Sequence, residues 1–441
     1  MEGATLSIII IAAIALAVFL GYKTNINTGL FCIVFAYAIG CFVMGLKPKA
    51  LIAYWPTNTM FVILAVSLFY NVAAANGTLE KISRSLLYTC RKFPGLLPYA
   101  LFAVAVILSV MGAAYFTVLA FLAPITLLIC EESKMDKLTG AVAINCGALA
   151  GGNFPTAALG VIFRGLMDTA YEGTPELTPI DSFSATMGLF GLAILSSLII
   201  ITACRYGIKA NRNIGKGITF AKPEAYTKPQ KQTLYLIIAM MITVLVFPLL
   251  KLLVPSNATI SGIAGKIDVG LVAIIFAVIA LLMKLAPQKE IIARVPWNTI
   301  IMIAGAGMLI AVAVEAGTIS MLSNWIGANV PTVLIPLVFS IVAAIMSFFS
   351  STTGVVTPAL FPLIPALAAA SGLNPTILFT CTVLGSQSSA ISPFSSGGSL
   401  CLSGCTNEEQ RNELFNRLIF VAVPISVSIT AVYNVIISRI L

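Results

Sequence analysis

Apolar runs of about 20 residues recur along the chain, and short polar segments separate them. A run of this length suits a helix that spans a bilayer, whereas the strands of a membrane barrel need only about ten residues. The pattern predicts an all-α integral membrane protein. Its expected crossings are 5–22, 28–46, 58–76, 139–164, 184–204, 232–250, 268–285, 297–314, 375–402 and 416–438.

Glycine, proline and polar residues interrupt two of these crossings, at 147–160 and at 385–400. A bilayer core contains no water that could satisfy broken backbone groups. Irregular backbone at that depth therefore persists only where it lines a cavity or is buried in protein. The pattern predicts two broken helices, and the alternative for 385–400 is a surface loop between two helices.

Two further apolar segments, 95–130 and 332–370, are interrupted midway, at 112–117 and 350–354. Each half has about 15 residues, which is short for a full crossing. The pattern predicts two re-entrant helical hairpins whose tips lie near the middle of the membrane. Two pairs of tightly linked full spans are the alternative.

The two halves of the chain repeat each other. Residues 107–160 align without a gap with 345–398, so that Gly385 follows Gly147 by 238 positions and Pro393 follows Pro155 by the same number. Each half then holds five transmembrane helices plus one re-entrant hairpin. Because five is odd, the second half is expected to be inverted, which is the architecture of secondary transporters. The expected divisions are a first repeat 1–205, a cytoplasmic linker 206–231 and a second repeat 232–441.

The basic residues fit this topology. The chain has 25 Lys and Arg and a net charge of +9, which in a membrane protein marks the cytoplasmic face and does not predict nucleic-acid binding. With the linker in the cytoplasm, 19 of the 25 basic residues lie inside. The count predicts a multi-pass protein of the bacterial cytoplasmic (inner) membrane with both termini outside.

Several classes of chemistry are absent from the sequence. The chain has no histidine, which excludes His-based zinc sites, Ser–His triads and histidine proton relays. No enzyme signature is present, so an enzyme is not expected. The four interruptions contain no Asp, Glu, Lys or Arg, whereas a proton-coupled antiporter is expected to bury a carboxylate. They offer hydroxyls, amides, free carbonyls and helix ends. The nearest charged residues are Arg164 and Glu315.

Helix ends and hydroxyls can bind ions without charged side chains. Helix C-terminal carbonyls and Ser or Thr oxygens suit Na⁺, and helix N-termini suit a carboxylate. Pro155 and Pro393 are expected in the first turn of a new helix, where a missing N–H costs nothing. Asn145 is expected to cap or crosslink helices.

The tip at 350–354 and the break at 392–398, Ser-Pro-Phe-Ser-Ser-Gly-Gly, carry a family resemblance that covers nearly the whole chain. The chain resembles the ion transporter superfamily, in particular the MatC-like dicarboxylate carriers, and more distantly the divalent anion/sodium symporters. The resemblance implies a homodimeric elevator transporter. Its transport domain would come from about 95–165 and 332–403 and its scaffold from the remaining helices. The family places Ser-Asn-Thr at each hairpin tip, whereas this chain has threonine in place of asparagine at the second tip and little of the signature at the first.

We expect Na⁺-coupled symport of a small dicarboxylate, of the malonate or C4 class, by a homodimer in the lipid bilayer. An H⁺-coupled antiporter or other anion exporter of the superfamily is one alternative, and a passive anion channel is another. The expected substrate ligands are Tyr115, Thr117, Asn153, Thr156, Ser351, Thr352, Thr353, Ser392, Ser395 and Ser396. The expected Na⁺ ligands, mainly backbone carbonyls, are Gly112, Gly147, Gly151, Ser350, Gly354, Gly385 and Ser388.

Overall fold

The protein is all-helical, as the apolar pattern predicts. The structure, a computed structural model, describes residues 3–24, 26–90, 94–172, 176–208, 211, 224–253, 257–264, 266–295, 297–349, 351–405 and 408–441, and no strand occurs within these ranges. Ser182–Gly207, Thr352–Ser371 and Glu408–Ile440 are long and apolar enough to cross a bilayer, and shorter apolar helices accompany them.

The helices follow one another with short connections. In the first half they are α1 Gly3–Thr24, α2 Thr28–Tyr37, α3 Pro48–Ala53, α4 Thr57–Ala75, α5 Thr78–Cys90, α6 Leu97–Val110, α7 Tyr115–Ser133, α8 Lys137–Gly152, α9 Ala158–Glu172 and α10 Ser182–Gly207. In the second half they are α11 Lys228–Leu253, α12 Ala258–Ala264, α13 Val269–Leu282, α14 Gln288–Ala293, α15 Trp297–Glu315, α16 Thr318–Asn329, α17 Ile335–Phe349, α18 Thr357–Leu360, α19 Ile364–Ser371, α20 Pro375–Ser388, α21 Ser396–Ser403, α22 Glu408–Arg417 and α23 Val423–Ile440. Most of the predicted linker, 209–210 and 212–223, lies outside the described residues.

Each predicted crossing falls on a helix, and both predicted breaks are present. The chain leaves helical geometry between α8 and α9 and again between α20 and α21. Residues 138–152 of α8 and 377–388 of α20 are buried throughout. The irregular segments therefore follow helices that are enclosed by protein, as unsatisfied backbone in a bilayer requires.

The positions of the two prolines differ from the prediction. α9 begins at Ala158 and α21 at Ser396, so Pro155 and Pro393 lie in the turns before these helices and not in their first turns. The Ala157 N–H donates to the Phe154 carbonyl at 2.8 Å, and the equivalent bond, from Ser395 to Ser392, is 2.9 Å. Each proline thus stands second in a four-residue turn, where its fixed φ is equally suitable.

The paired helices at the two tips are unequal in length. The first helices, α6 and α17, have 14 and 15 residues, as expected. The second are longer than predicted, with 19 residues in α7 and 20 in Thr352–Ser371. Prolines do not end them, because Pro124 lies inside α7 and a π-turn and a 3₁₀ turn accompany the prolines of Thr352–Ser371. Membrane helices tolerate such prolines where neighbouring groups satisfy the freed carbonyls.

Glycines let the broken helices touch the first helix of each tip. A Cβ atom on Gly147 would overlap the Phe102 carbonyl of α6, and a Cβ atom on Gly385 would overlap the Ser340 carbonyl of α17. Ser340 follows Phe102 by 238 positions, so the same crossing occurs in both halves. Apolar helices gain little by leaving lipid, and close backbone contact at small residues therefore contributes to their association.

A second pair of crossings involves the outer helices. Gly29 of α2 lies against Ile301 and Met302 of α15, and Gly270 of α13 lies against Val62 of α4. The two glycine-bearing helices are also capped alike, α2 by the side chain of Asn27 and α13 by the side chain of Asp268. In addition, α10 packs against α8, and α23 packs against α17 and α20. The last helix of each half therefore contacts the broken helix of that half.

Candidate functional site

The two tips and the two breaks meet around one cavity of about 80 Å³. Six of the predicted substrate ligands line it: Tyr115, Ser351, Thr352, Thr353, Ser395 and Ser396. The other lining residues are Ala114, Phe116, Leu149, Ala158, Leu159, Ile162, Ser347, Ala390 and Gly397. None of these residues is charged. The cavity is therefore built from all four interruptions, and its polar groups are hydroxyls and backbone amides.

A cluster of hydroxyls organises the second tip. Ser386 Oγ donates to Thr352 Oγ1 at 2.7 Å, and Ser347 Oγ lies 3.3 Å from the same atom. Ser351 Oγ accepts from the Gly354 N–H at 3.3 Å and thereby caps the π-turn that follows. Ser386 and Ser347 were missed by the prediction. Each stands in a serine-bearing segment of the repeat, but nothing in the sequence shows which serines reach Thr352.

The first tip is built differently, from aromatic rings. The buried Tyr115 hydroxyl donates to Asn145 Oδ1 at 2.7 Å, so Asn145 crosslinks helices as expected and also positions a residue of the cavity wall. Gly112 adopts a φ of 93° and faces the ring of Tyr70, where a Cβ atom would overlap that ring. Ser109 Oγ is buried without a hydrogen-bond partner among the described residues. Little of the hydroxyl cluster of the second tip is repeated here.

The starts of α9 and α21 both reach the cavity. Ala158 and Leu159 line it from α9, and Ser396 and Gly397 line it from α21. The first N–H groups of a helix have no partner inside the helix and carry a partial positive charge. A Cβ atom on Gly397 would overlap the Tyr115 hydroxyl, so the start of α21 lies directly against the first tip. This arrangement can bind an anion without a charged side chain.

The remaining predicted substrate ligands lie outside the cavity. Asn153 and Gln387 exchange two amide hydrogen bonds, of 3.0 and 2.7 Å, and thereby join the two breaks. Ser392 Oγ accepts from the Phe394 N–H at 3.2 Å and stabilises its own turn. Thr156 Oγ1 is buried without a hydrogen-bond partner among the described residues. Thr117 lines a separate cavity of about 520 Å³, together with Arg294.

The predicted Na⁺ ligands do not line the 80 Å³ cavity. Gly147, Gly151 and Gly385 are the contact points of helix crossings, and Gly354 faces the Met302 side chain. Gly112 holds the turn of the first tip. Ser388 Oγ donates to the Gly385 carbonyl at 2.6 Å. Ser350 lies outside the described residues. The assignment of Na⁺ to these groups stays a prediction, whereas the hydroxyl cluster offers oxygen atoms next to the cavity.

Phe116 lines both the 80 Å³ cavity and the 520 Å³ cavity. The larger cavity lies between the first tip and the residues Gly77, Glu80 and Arg294. The distribution of basic residues predicts that Arg294 faces the cytoplasm. The ring of Phe116 is therefore the wall between the smaller cavity and a vestibule that is predicted to be cytoplasmic.

The nearest arginine does not reach the cavity. Arg164 Nη1 donates to the Pro155 carbonyl at 3.4 Å, and its guanidinium lies 5.4 Å from the ring centre of Phe183. Glu315 instead lines a third cavity, of about 480 Å³, with Glu172 and Trp55. Arg164 and Glu315, the charged residues nearest to the interruptions in sequence, therefore do not line the 80 Å³ cavity.

The chain matches two families of membrane carriers. Residues 4–152 match the family described as dicarboxylate carrier protein MatC N-terminus. Residues 236–438 match the family described as sodium:sulfate symporter transmembrane region. Between them these matches take in both tips and the second break, whereas the first break is matched only as far as Gly152. No protein of curated function matches the chain in sequence.

Solved structures share the fold. The YdaH transporter of Alcanivorax borkumensis superposes with a TM-score of 0.64 at 18% identity, over 88% of this chain and 86% of that one. MtrF of Neisseria gonorrhoeae, from a class of antimetabolite efflux pumps, superposes with a TM-score of 0.59 at 12% identity, over 92% of this chain and 84% of that one. At these identities the likeness shows the fold alone. Families and structures alike are transporters and not enzymes.

Proposed function

Since the chain is a membrane transporter of the MatC-like dicarboxylate carriers, related to the sodium:sulfate symporters, we propose that it takes up a small dicarboxylate by Na⁺-coupled symport. The cavity between the two tips carries this proposal. Hydroxyls and two helix N-termini line it, and it has no charged side chain. Such a site suits an anion whose charge is offset by a cation that binds with it.

The groups around the cavity divide between the two ions. The N–H groups at the start of α21 and the hydroxyls of Ser351, Thr353 and Ser396 would bind the carboxylates. Thr352 Oγ1, with the hydroxyls of Ser386 and Ser347 that lie 2.7 and 3.3 Å from it, would bind Na⁺ together with the backbone of the second tip. An uncompensated charge costs several kcal/mol in a buried site, so each ion makes binding of the other more favourable.

The repeated crossings support the proposal of two inverted repeats, 1–205 and 232–441. Gly147 and Gly385 make the same backbone contact 238 positions apart. The Asn153–Gln387 pair ties the two breaks into one body, which suits a transport domain that moves as a unit. We propose that this domain, about 95–165 and 332–403, moves by an elevator mechanism against the scaffold of a homodimer. The protein would lie in the bacterial inner membrane with both termini outside.

Uptake into proteoliposomes under an imposed Na⁺ gradient tests the function. The substrates to compare are malonate, succinate, malate, citrate and sulfate. We expect one class of dicarboxylate to accumulate above equilibrium only while the gradient lasts. Accumulation driven by a pH gradient alone would identify an H⁺-coupled carrier, and simple equilibration would identify a channel. Either result would contradict the proposal.

A further inference from the structure

A second polar cavity, of about 30 Å³, lies between α8, α10, α20 and α23, and neither tip lines it. We call it the inner cavity. Oxygen-bearing side chains reach it from all four helices: Asn145 from α8, Ser196 from α10, Gln387 and Ser388 from α20, and Ser426 and Thr430 from α23. Each of these residues is more than nine-tenths buried, and none of the lining residues is charged. Both halves of the chain therefore contribute to one buried polar site.

Three hydroxyls on the inner cavity form no hydrogen bond with another described residue, namely those of Ser196, Ser426 and Thr430. A buried hydroxyl on a helix can bond to the carbonyl of the preceding turn, as Thr380 and Thr382 of α20 do at 2.9 and 2.8 Å. A buried polar group that stays unpaired destabilises the folded state. Because the three hydroxyls border one space, a single occupant of that space can satisfy all of them.

The size of the inner cavity limits what this occupant is. One water molecule needs roughly 10–15 Å³ of such space, so a cavity of about 30 Å³ has room for roughly two groups of that size. This volume suits one small ion together with one water molecule.

The end of α20 determines which sign of charge the inner cavity favours. Gln387 and Ser388 are the last residues of that helix, and a helix C-terminus carries a partial negative charge. The lining residues of α8 and α10 lie away from the ends of those helices, and α23 continues directly from a π-turn. None of these three helices therefore presents a free N-terminus to an anion. Hydroxyl oxygens at a helix C-terminus are instead the surroundings that suit Na⁺ in transporters.

We propose that the inner cavity is a Na⁺ site, formed by the hydroxyls of Ser196, Ser426 and Thr430 and by the end of α20. It is separate from the hydroxyl cluster of the second tip. The binding of the ion follows from the inner cavity alone, whereas its role in coupling rests on the proposed Na⁺-coupled symport.

The inner cavity is connected to the 80 Å³ cavity through α8. Asn145 lines the inner cavity and accepts the hydrogen bond from Tyr115, which lines the 80 Å³ cavity. Leu149 lines both cavities. A cation in the inner cavity therefore stabilises the side of the 80 Å³ cavity that the first half of the chain contributes, and substrate binding in turn favours the cation.

Thermal unfolding of the purified protein in detergent, without substrate, tests the site. NaCl would replace choline chloride at constant ionic strength, because an ion that binds only the folded state raises the unfolding midpoint. Thr352→Val serves as the background, since it weakens the hydroxyl cluster of the second tip. We expect Na⁺ still to raise the midpoint of Thr352→Val. A further Thr430→Val substitution should raise the Na⁺ concentration for half-maximal stabilisation about tenfold or more, because one oxygen ligand is lost while the shape is kept.

Thr382→Val in the same background is the matched control. Thr382 is also fully buried, but its hydroxyl bonds to Leu378 on its own helix and it does not line the inner cavity. We expect it to leave the Na⁺ dependence of Thr352→Val unchanged. If Thr430→Val does not fold, Ser426→Ala removes another hydroxyl of the inner cavity. An equal Na⁺ dependence of the cavity variant and the control would show that the inner cavity holds water only. A Thr352→Val protein on which Na⁺ and choline act alike would also overturn the inference.

Uptake measurements keep this result apart from the proposed function. Na⁺ stabilisation that depends on Thr430, in a protein whose uptake ignores a Na⁺ gradient, would contradict symport and leave the inner site supported. Na⁺-driven uptake with no effect of Thr430→Val on Na⁺ binding would support symport and overturn the inner site.

Discussion

Thr352 is the residue on which the hydroxyl cluster depends, since Ser386 donates to its hydroxyl and Ser347 lies 3.3 Å from it. Thr352→Val removes the hydroxyl and keeps the shape. We expect the Na⁺ concentration for half-maximal uptake to rise about tenfold, because one oxygen ligand and its hydrogen bonds are lost at a cost of about 1.4 kcal/mol. Ser371→Ala is the control, since the Ser371 hydroxyl bonds to Leu367 on its own helix.

Single alanine substitutions at Ser351 and Thr352 test more broadly whether the second tip binds the ions. Ser351→Ala and Thr352→Ala should each weaken uptake without unfolding the protein. Unchanged transport in both variants would show that the second tip does not bind either ion.

Glycine gives an ambiguous signal in a sequence. The interruptions in the apolar pattern predicted that the two tips and the two breaks lie together. In the structure Tyr115, the second tip and Ser396 of α21 line one cavity, although they are far apart in sequence. Gly147 and Gly385 were predicted to offer carbonyls to Na⁺, which stays a prediction, and the structure adds that both lie at helix crossings. A glycine needed for free backbone and a glycine needed for close packing look the same in one sequence. The packing partners, Phe102 for Gly147 and Ser340 for Gly385, become visible only in the folded structure.

At the scale of elements, the crossing of α20 over α17 can be tested directly. Gly385→Ala places a Cβ atom on the Ser340 carbonyl, and backbone cannot rotate away as a side chain can. We expect a loss of about 1–3 kcal/mol in stability, measured as a lower midpoint of thermal unfolding in detergent. Gly188→Ala in α10 is the matched control, because nothing lies within 4 Å of its added Cβ. Equal midpoints for the two variants would contradict the close crossing.

The existence of elements was easier to predict than their ends. Each apolar run falls on a helix, because length and hydropathy are properties of a segment by itself. The starts of α9 and α21 were predicted three residues too early, because proline suits both a first helical turn and the second position of a β-turn. The hydrogen bonds that choose the turn involve Ala157 and Ser395, and those bonds are not visible in the sequence.

At the scale of the whole molecule, one ion pair joins the two halves. Arg417 of α22 lies 2.7 Å from Asp136, the buried residue that caps α8. Asn211 accepts from the Asp136 N–H at 2.9 Å and also bonds to Thr139, which fixes the start of the linker to the same point. The distribution of basic residues predicts that this junction faces the cytoplasm.

Arg417→Ala should destabilise the protein by about 2–4 kcal/mol, because the buried Asp136 carboxylate loses its partner while the arginine itself is partly exposed. Thermal unfolding would measure the change. Arg411→Ala is the control, as an exposed arginine of the same helix that forms no ion pair in the described part of the chain. An equal response of the two variants would show that the pair contributes nothing across the halves.

The Asn153–Gln387 pair has a consequence for biogenesis. The ribosome completes Asn153 long before it reaches Gln387, which follows by 234 residues. Until then the side-chain amide of Asn153 lacks the partner that it has in the folded protein. Because an unpaired buried amide is costly, we expect that amide to pack against other helices of the first half in the meantime. We therefore expect the first half of the chain to reach its final packing only after α20 has been inserted.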